Sequence, residues 1–195
     1  MTPRIPPGAR ADVGRRNWAI LKVLGLSSGG RPANVFATLA RHRRLFRRWL
    51  RFAGAMMPGG TLPRADTELV ILRVAHNCHS EYERDQHRRI ARFAGLSAEE
   101  VDRVDAGPEA PGWSARQALL LRVTDALHAD RDLSDDLWDA LSAELDDVAC
   151  IELLMLIGHY EGLAMTLNAL RVVPDAPKGG APRALRFAQK LLVRD

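Results

Sequence analysis

The chain is 195 residues long, with 47% apolar and 27% charged residues, a formal net charge of +4 and a sequence pI near 9.6. That length supports one sizeable domain or a smaller one with arms, and the composition is that of an ordinary globular protein. No stretch approaches the ~18 unbroken apolar residues of a membrane span, and no apolar h-region follows the basic N-terminus, so neither a membrane partner nor a secretory signal is expected and the expected location is cytoplasmic.

Residues 1–11 carry Pro3, Pro6 and Pro7 and read as an extended arm. "DVGRRNWAILKVLG" reads as a first helix closed by Gly25, and a second helical region runs from Asn34 to Met57, ending at "PGG". Within it, "RHRRLFRRWLR" (41–51) sets Leu45, Phe46, Trp49 and Leu50 on one stripe with arginines opposite. No DNA- or RNA-reading motif accompanies this basic segment, so it reads as a solvated or subunit-facing helix side, with nucleic acid not expected as a partner. Trp49, Phe52, Met56 and Met57 read as core or interface.

"LPRADTELVILRVAHNC" starts a helix near Pro63, where proline suits a first turn. "SEYERDQHRRIARFAG" follows, with Ser80 and Glu83 at capping-box spacing and Gly95 closing it. "LSAEEVDRV" repeats the device with Ser97 and Glu100. "PGWSARQALLLRVTDALHAD" is an apolar helix, and Ser134 caps "LSDDLWDALSAEL". The long apolar "DDVACIELLMLIGHYEGLAMTLNALRVV" is the expected buried central helix. Residues 174–195 form a basic, Pro/Gly-punctuated tail with one short helix. There is no βαβ rhythm, phosphate loop or internal repeat, so the expectation is all-α, a single-domain helical bundle over 12–173.

The chemistry concentrates in "HNCHSEYERDQH" (76–87). On a helix Ser80, Glu83 and His87 share a stripe, and Glu83 and His87 at i, i+4 form a carboxylate–imidazole pair able to orient the ring and pass a proton. Glu68 sits among Leu69, Val70, Ile71 and Leu72, where partial burial would raise its pKa and a His87 cation would lower it. The same stripe also reads as a cap on a solvated face. His79, Glu83 and His87 are four apart but lack H-E-x-x-H order and a clear third ligand, so no metal is assigned. Cys78 and Cys150 have no C-x-x-C spacing and cannot build a disulfide framework.

"TELVILRVAHNCHSEYERDQHRRIARFAGLSAEEV" resembles the core of the carboxymuconolactone decarboxylase family, which includes the alkyl hydroperoxide reductase D-type proteins. That core carries a glutamate on one helix, then C-x-x-C-x-x-x-H or an "EYEW…H" variant on the next, and later an apolar helix like "IELLMLIGHYEGLAMTLNAL". The resemblance spans roughly 32–173 and implies the helical bundle of that family. By it, Glu68 matches the proton-relay glutamate, Ser80 and Glu83 stand at the two redox-cysteine positions, and His87 is the relay histidine. Tyr82 matches the aromatic of "EYE", and Arg84 replaces the tryptophan often found next.

A disulfide reductase needs two thiols within bonding reach, one of them a thiolate, and Ser80 and Glu83 supply neither. The expected function is therefore cofactor-independent acid–base chemistry on a small carboxylated or lactone-type substrate, with Glu68, Glu83 and His87 catalytic. Tyr82 or Arg84 would anchor a carboxylate, and Ser80, His159 and Tyr160 complete the expected substrate contacts. Two other classes stay open: a peroxiredoxin-type hydroperoxide or disulfide oxidoreductase using Cys78 as the redox residue, and a non-catalytic ligand-binding or scaffold member. The resemblance also implies a homo-oligomer (dimer, trimer or hexamer).

Overall fold

The computed structural model describes residues 2–26 and 31–175, and among them the secondary structure is helical with no strand. The expected short helix of the tail lies outside the described residues. By internal contacts the chain divides into two compact units, one taking in Met1–Gly60 and Ala169–Asp195, the other Thr61–Asn168. The segment expected as one domain, 12–173, thus contributes to both.

In the first unit, α1 (Arg10–Leu26) is kinked at Gly14, whose φ of 77° belongs to the left-handed region. The kink frees carbonyls that Arg43 collects, donating to Ala11 O and Asp12 O at 3.1–3.3 Å. The region expected as one helix over Asn34–Met57 is two, α2 (Asn34–Leu39) and α3 (Arg43–Met56). The cause lies on α1: buried Asn17 donates to Ala40 O and Arg43 O, while the His42 ring accepts from Leu45 N and caps α3. Val13, Leu21, Ala37, Ala40 and Phe46 form this unit's core, with Trp49 and Leu50 packed against it. Leu45, expected on the inward stripe, is instead 57% exposed.

The second unit is organised by α4 (Arg64–Asn77), on which Thr67 to Leu72, Val74 and Ala75 are all buried. A helix covered on nearly every side is a core helix. The expectation that the last long helix is the buried one is corrected here. On α9 (Asp147–Leu170), Val148, Ile151, Met155 and Met165 are exposed, while Leu153, Leu156, Ile157, Tyr160, Ala164 and Leu167 are buried. By length and composition alone α9 could cross a membrane, and its Leu153, Leu156, Ile157 and Leu167 side chains are buried within the protein.

Two polar braces fix α4. Glu152 of α9 accepts from Thr61 N, Thr61 Oγ1 and Leu62 N just ahead of it. Arg73 reaches both oxygens of Asp125 on α7 (Ala115–Asp130) and donates to Val104 O in a 3-10 turn, Val104–Ala106. Around this frame lie α5 (Glu81–Ala94), α6 (Ala98–Arg103) and α8 (Asp135–Glu144). Leu69 and Leu72 of α4, Ala91 of α5, Val101 of α6 and Leu121 of α7 form one core with Leu96 and Val104.

The expected Ser97–Glu100 capping box is formed, and Ser114 and Gln117 build a second at the start of α7. The expected Ser80–Glu83 box is not. The Ser80 N–H, which Glu83 would have to accept, already donates to Ala75 O at 2.8 Å, in a tight turn where His79 has φ 51°. Glu83 is thereby released from capping duty and turned inward.

Candidate active site

Glu68 is fully buried on α4 and held from two sides. His87 of α5 meets Oε2 through Nδ1 at 2.7 Å, and Arg64, one turn earlier on α4, meets Oε1 at 2.6 Å. The arginine contact is an ion pair made off the hydrogen-bonding direction, since Oε1 accepts no aligned hydrogen bond. A carboxylate clamped by a guanidinium accepts from the imidazole, which places a proton on Nδ1 and leaves Nε2 to exchange one. The i, i+4 partnership expected between Glu83 and His87 is thus replaced by one between helices.

Glu83 lies 2% exposed on α5, and neither of its oxygens has a hydrogen-bond partner among the described residues. Burial pushes its carboxyl up to about 7, opposed by the neighbouring Ser80 hydroxyl and the charge of His87. Ser80 Oγ is itself buried without an aligned hydrogen bond. A carboxyl poised near neutrality can give or take a proton, which is the property general acid–base chemistry asks for.

Tyr160 of α9 closes the site. Its ring stands edge-on to His87 at 5.3 Å, and its hydroxyl pKa is driven upward by burial and by the charges of Glu68 and Glu83. His159 stands edge-on to Tyr160 at 5.2 Å, and burial lowers its pKa. Tyr82 is buried at 4% exposure. The structure therefore gathers Glu68, Glu83, His87 and Tyr160, with Ser80 beside Glu83 and His159 beside Tyr160.

Arg84 and Cys78 are engaged elsewhere. Arg84 is paired with Asp105, which also takes His76. Cys78, the C-cap of α4, points its sulfur at His128 Nδ1 at 3.9 Å. Burial, Glu161 and Glu83 push its thiol up to about 11. Cys150 is buried and donates to Leu145 O. Arg64 is the site residue that sequence reasoning missed, although its i, i+4 spacing to Glu68 was there to be read. Two cavities of about 390 and 420 Å³ open elsewhere, the first beside Arg131 and Trp138, the second beside Asn17 and Arg47.

Comparison with solved structures shows the fold to be a known one. A peroxidase-related protein from Ralstonia eutropha JMP134, described as an alkylhydroperoxidase AhpD core, superposes with a TM-score of 0.79 at 18% identity, over 89% of this chain and 92% of that one. A peroxidase-related protein from Silicibacter sp. TM1040 gives 0.77 at 13% identity, over 90% and 95%. The debrominase Bmp8 gives 0.74 at 14% identity, over 88% and 92%. No protein of curated function matches the chain by sequence. Residues 43–126, from the start of α3 into α7, match the carboxymuconolactone decarboxylase family model, and the chain as a whole has the AhpD-like helical fold.

Proposed function

We propose that the protein is a cofactor-independent acid–base enzyme acting on a small carboxylated or lactone-type substrate, with His87 as the proton carrier. The observation that carries this reading is the buried set of Glu68 on His87 Nδ1 at 2.7 Å and Glu83, with its carboxyl near 7, on the same α5 face. Glu68 and Arg64 orient the ring, and His87 and Glu83 exchange protons with substrate. In a decarboxylation, the bond to the carboxylate carbon breaks and CO2 leaves. The electron pair stays on the substrate as a dienolate, and protonated His87 returns a proton to carbon through Nε2. Arg64, 27% exposed and paired with Glu68 Oε1 off the hydrogen-bonding direction, keeps N–H donors that could also take a substrate carboxylate.

A thiol-based route through Cys78 is less well supported. Its thiol is held near 11, and the two positions where family members carry redox cysteines are Ser80 and Glu83. The reading includes self-association, for which the exposed apolar stripe Val148, Ile151, Met155 and Met165 offers a face.

The test is a pH–rate profile over a panel of small carboxylated lactones. We expect His87→Gln to lower kcat/KM by about 10²–10⁴-fold and Glu83→Gln to remove the limb that titrates near neutrality. Unchanged turnover in His87→Gln would falsify the reading.

A further inference from the structure

A second cluster on the same unit shares no residue with the proton-relay site. Cys78 at the end of α4, His128 near the end of α7 and Glu161 on α9 bring Sγ, Nδ1 and a carboxylate oxygen within 4.8 Å of one another. The thiol lies 3.9 Å from His128 Nδ1, and that nitrogen lies 2.7 Å from Glu161 Oε1. We infer that Cys78, His128 and Glu161 form a three-ligand site for a zinc-like divalent metal ion.

Thiolate, imidazole and carboxylate are the donor types that zinc accepts, whereas calcium and magnesium call for oxygen alone. Tetrahedral zinc with bonds of about 2.0–2.3 Å sets its donors roughly 3.3–3.6 Å apart. The present spacings of 2.7 and 3.9 Å bracket that range. Metal binding releases the thiol proton of Cys78 and opens the 2.7 Å contact between His128 Nδ1 and Glu161 Oε1, with the neutral imidazole keeping its proton on Nε2.

Outer contacts hold these ligands in place, as at established metal sites. Arg131 holds Glu161 Oε2 at 2.6 Å, leaving Oε1 to the cluster, and Asn168 Nδ2 donates to Cys78 O at 2.8 Å. The charges that reach the thiol are Glu161, Glu83 and Arg131, a net negative set that favours a bound cation. All three ligands are partly exposed, so an ion can reach the cluster from solvent and water can complete its coordination. This departs from the sequence expectation of no metal, in which Cys78 was the candidate redox residue.

The test titrates the full chain with cobalt(II), a spectroscopic substitute for zinc. We expect one equivalent to produce a thiolate-to-cobalt charge-transfer absorption that zinc displaces. Cys78→Ser abolishes it, Cys150→Ser retains it, and Glu161→Gln weakens binding by about tenfold or more. A second measurement needs no variant: zinc should slow alkylation of Cys78 in the native protein while leaving Cys150 unchanged, read by peptide mass spectrometry. Cobalt bound without the charge-transfer band, a band that survives in Cys78→Ser, or unchanged alkylation of Cys78 would each overturn the assignment.

Discussion

The second unit contains the same clamp twice. Glu68 is gripped by Arg64 at 2.6 Å and His87 Nδ1 at 2.7 Å; Glu161 is gripped by Arg131 at 2.6 Å and His128 Nδ1 at 2.7 Å. What separates them is depth and the third group. The Glu68 side chain is wholly buried and His87 is 9% exposed, whereas Glu161 is 13%, His128 35% and Arg131 66% exposed. The deep clamp adjoins a carboxyl held near neutrality, and the shallow one adjoins a thiol. One geometric unit thus stands in two settings, out of water beside an acid and near water beside a thiol, and the two proposals follow from that difference.

The largest separation between the clamps should appear in function. Glu68→Gln keeps the shape but lets the side chain amide donate, which spoils the tautomer of His87. We expect kcat to fall by about 10²–10⁴-fold while cobalt binding at the shallow clamp is unaltered. Parallel loss of both would show that the two clamps are one site.

Stability gives the next contrast. Arg64→Met strips one of the two partners from a fully buried carboxylate, leaving only His87, and should cost about 3 kcal/mol in urea unfolding. Arg131→Met removes a largely exposed cation and should cost under about 1 kcal/mol. Equal losses would mean that depth does not decide the strength of the clamp.

The last contrast concerns Glu83, which belongs to the deep site alone. Its folded pKa near 7 lies above the ordinary 4.5, so the native state binds the proton more tightly than the unfolded chain. The stability this confers is fully present below about pH 4.5 and is lost as the pH rises through 7. Glu83→Gln should therefore match the wild type in acid and exceed it at pH 8, by about 3 kcal/mol at most. A constant difference across that window would place the titration elsewhere.

Much of this was written in the sequence, because helices and caps are local. Ser97, Ser134 and Gly95 mark real ends, and Pro63 stands where α4 begins. Glu68, Glu83 and His87 were picked out by spacing and by family resemblance, and all three lie buried together. The illegible parts depend on contacts between distant segments. The break between α2 and α3 needs Asn17, 23 residues from the carbonyl of Ala40. The failed capping box needs the Ala75 carbonyl to take the Ser80 N–H. The shallow clamp joins residues 78, 128 and 161, which no window along the chain brings together. Apolar content also misled: α9 is the more apolar run, yet α4, with its arginines and acids, is the helix wrapped on nearly every side.

The two-sidedness of α9 dictates how the helix tolerates change. At Leu153, Leu156, Ile157, Ala164 and Leu167 a charged residue would be trapped in the interior, and the fold would fail. At Val148, Ile151, Met155 and Met165 the same charge would sit in water and leave the single chain intact. A complete substitution scan would therefore divide this one helix into a stripe that governs whether the molecule folds and a stripe on which the single chain tolerates charge.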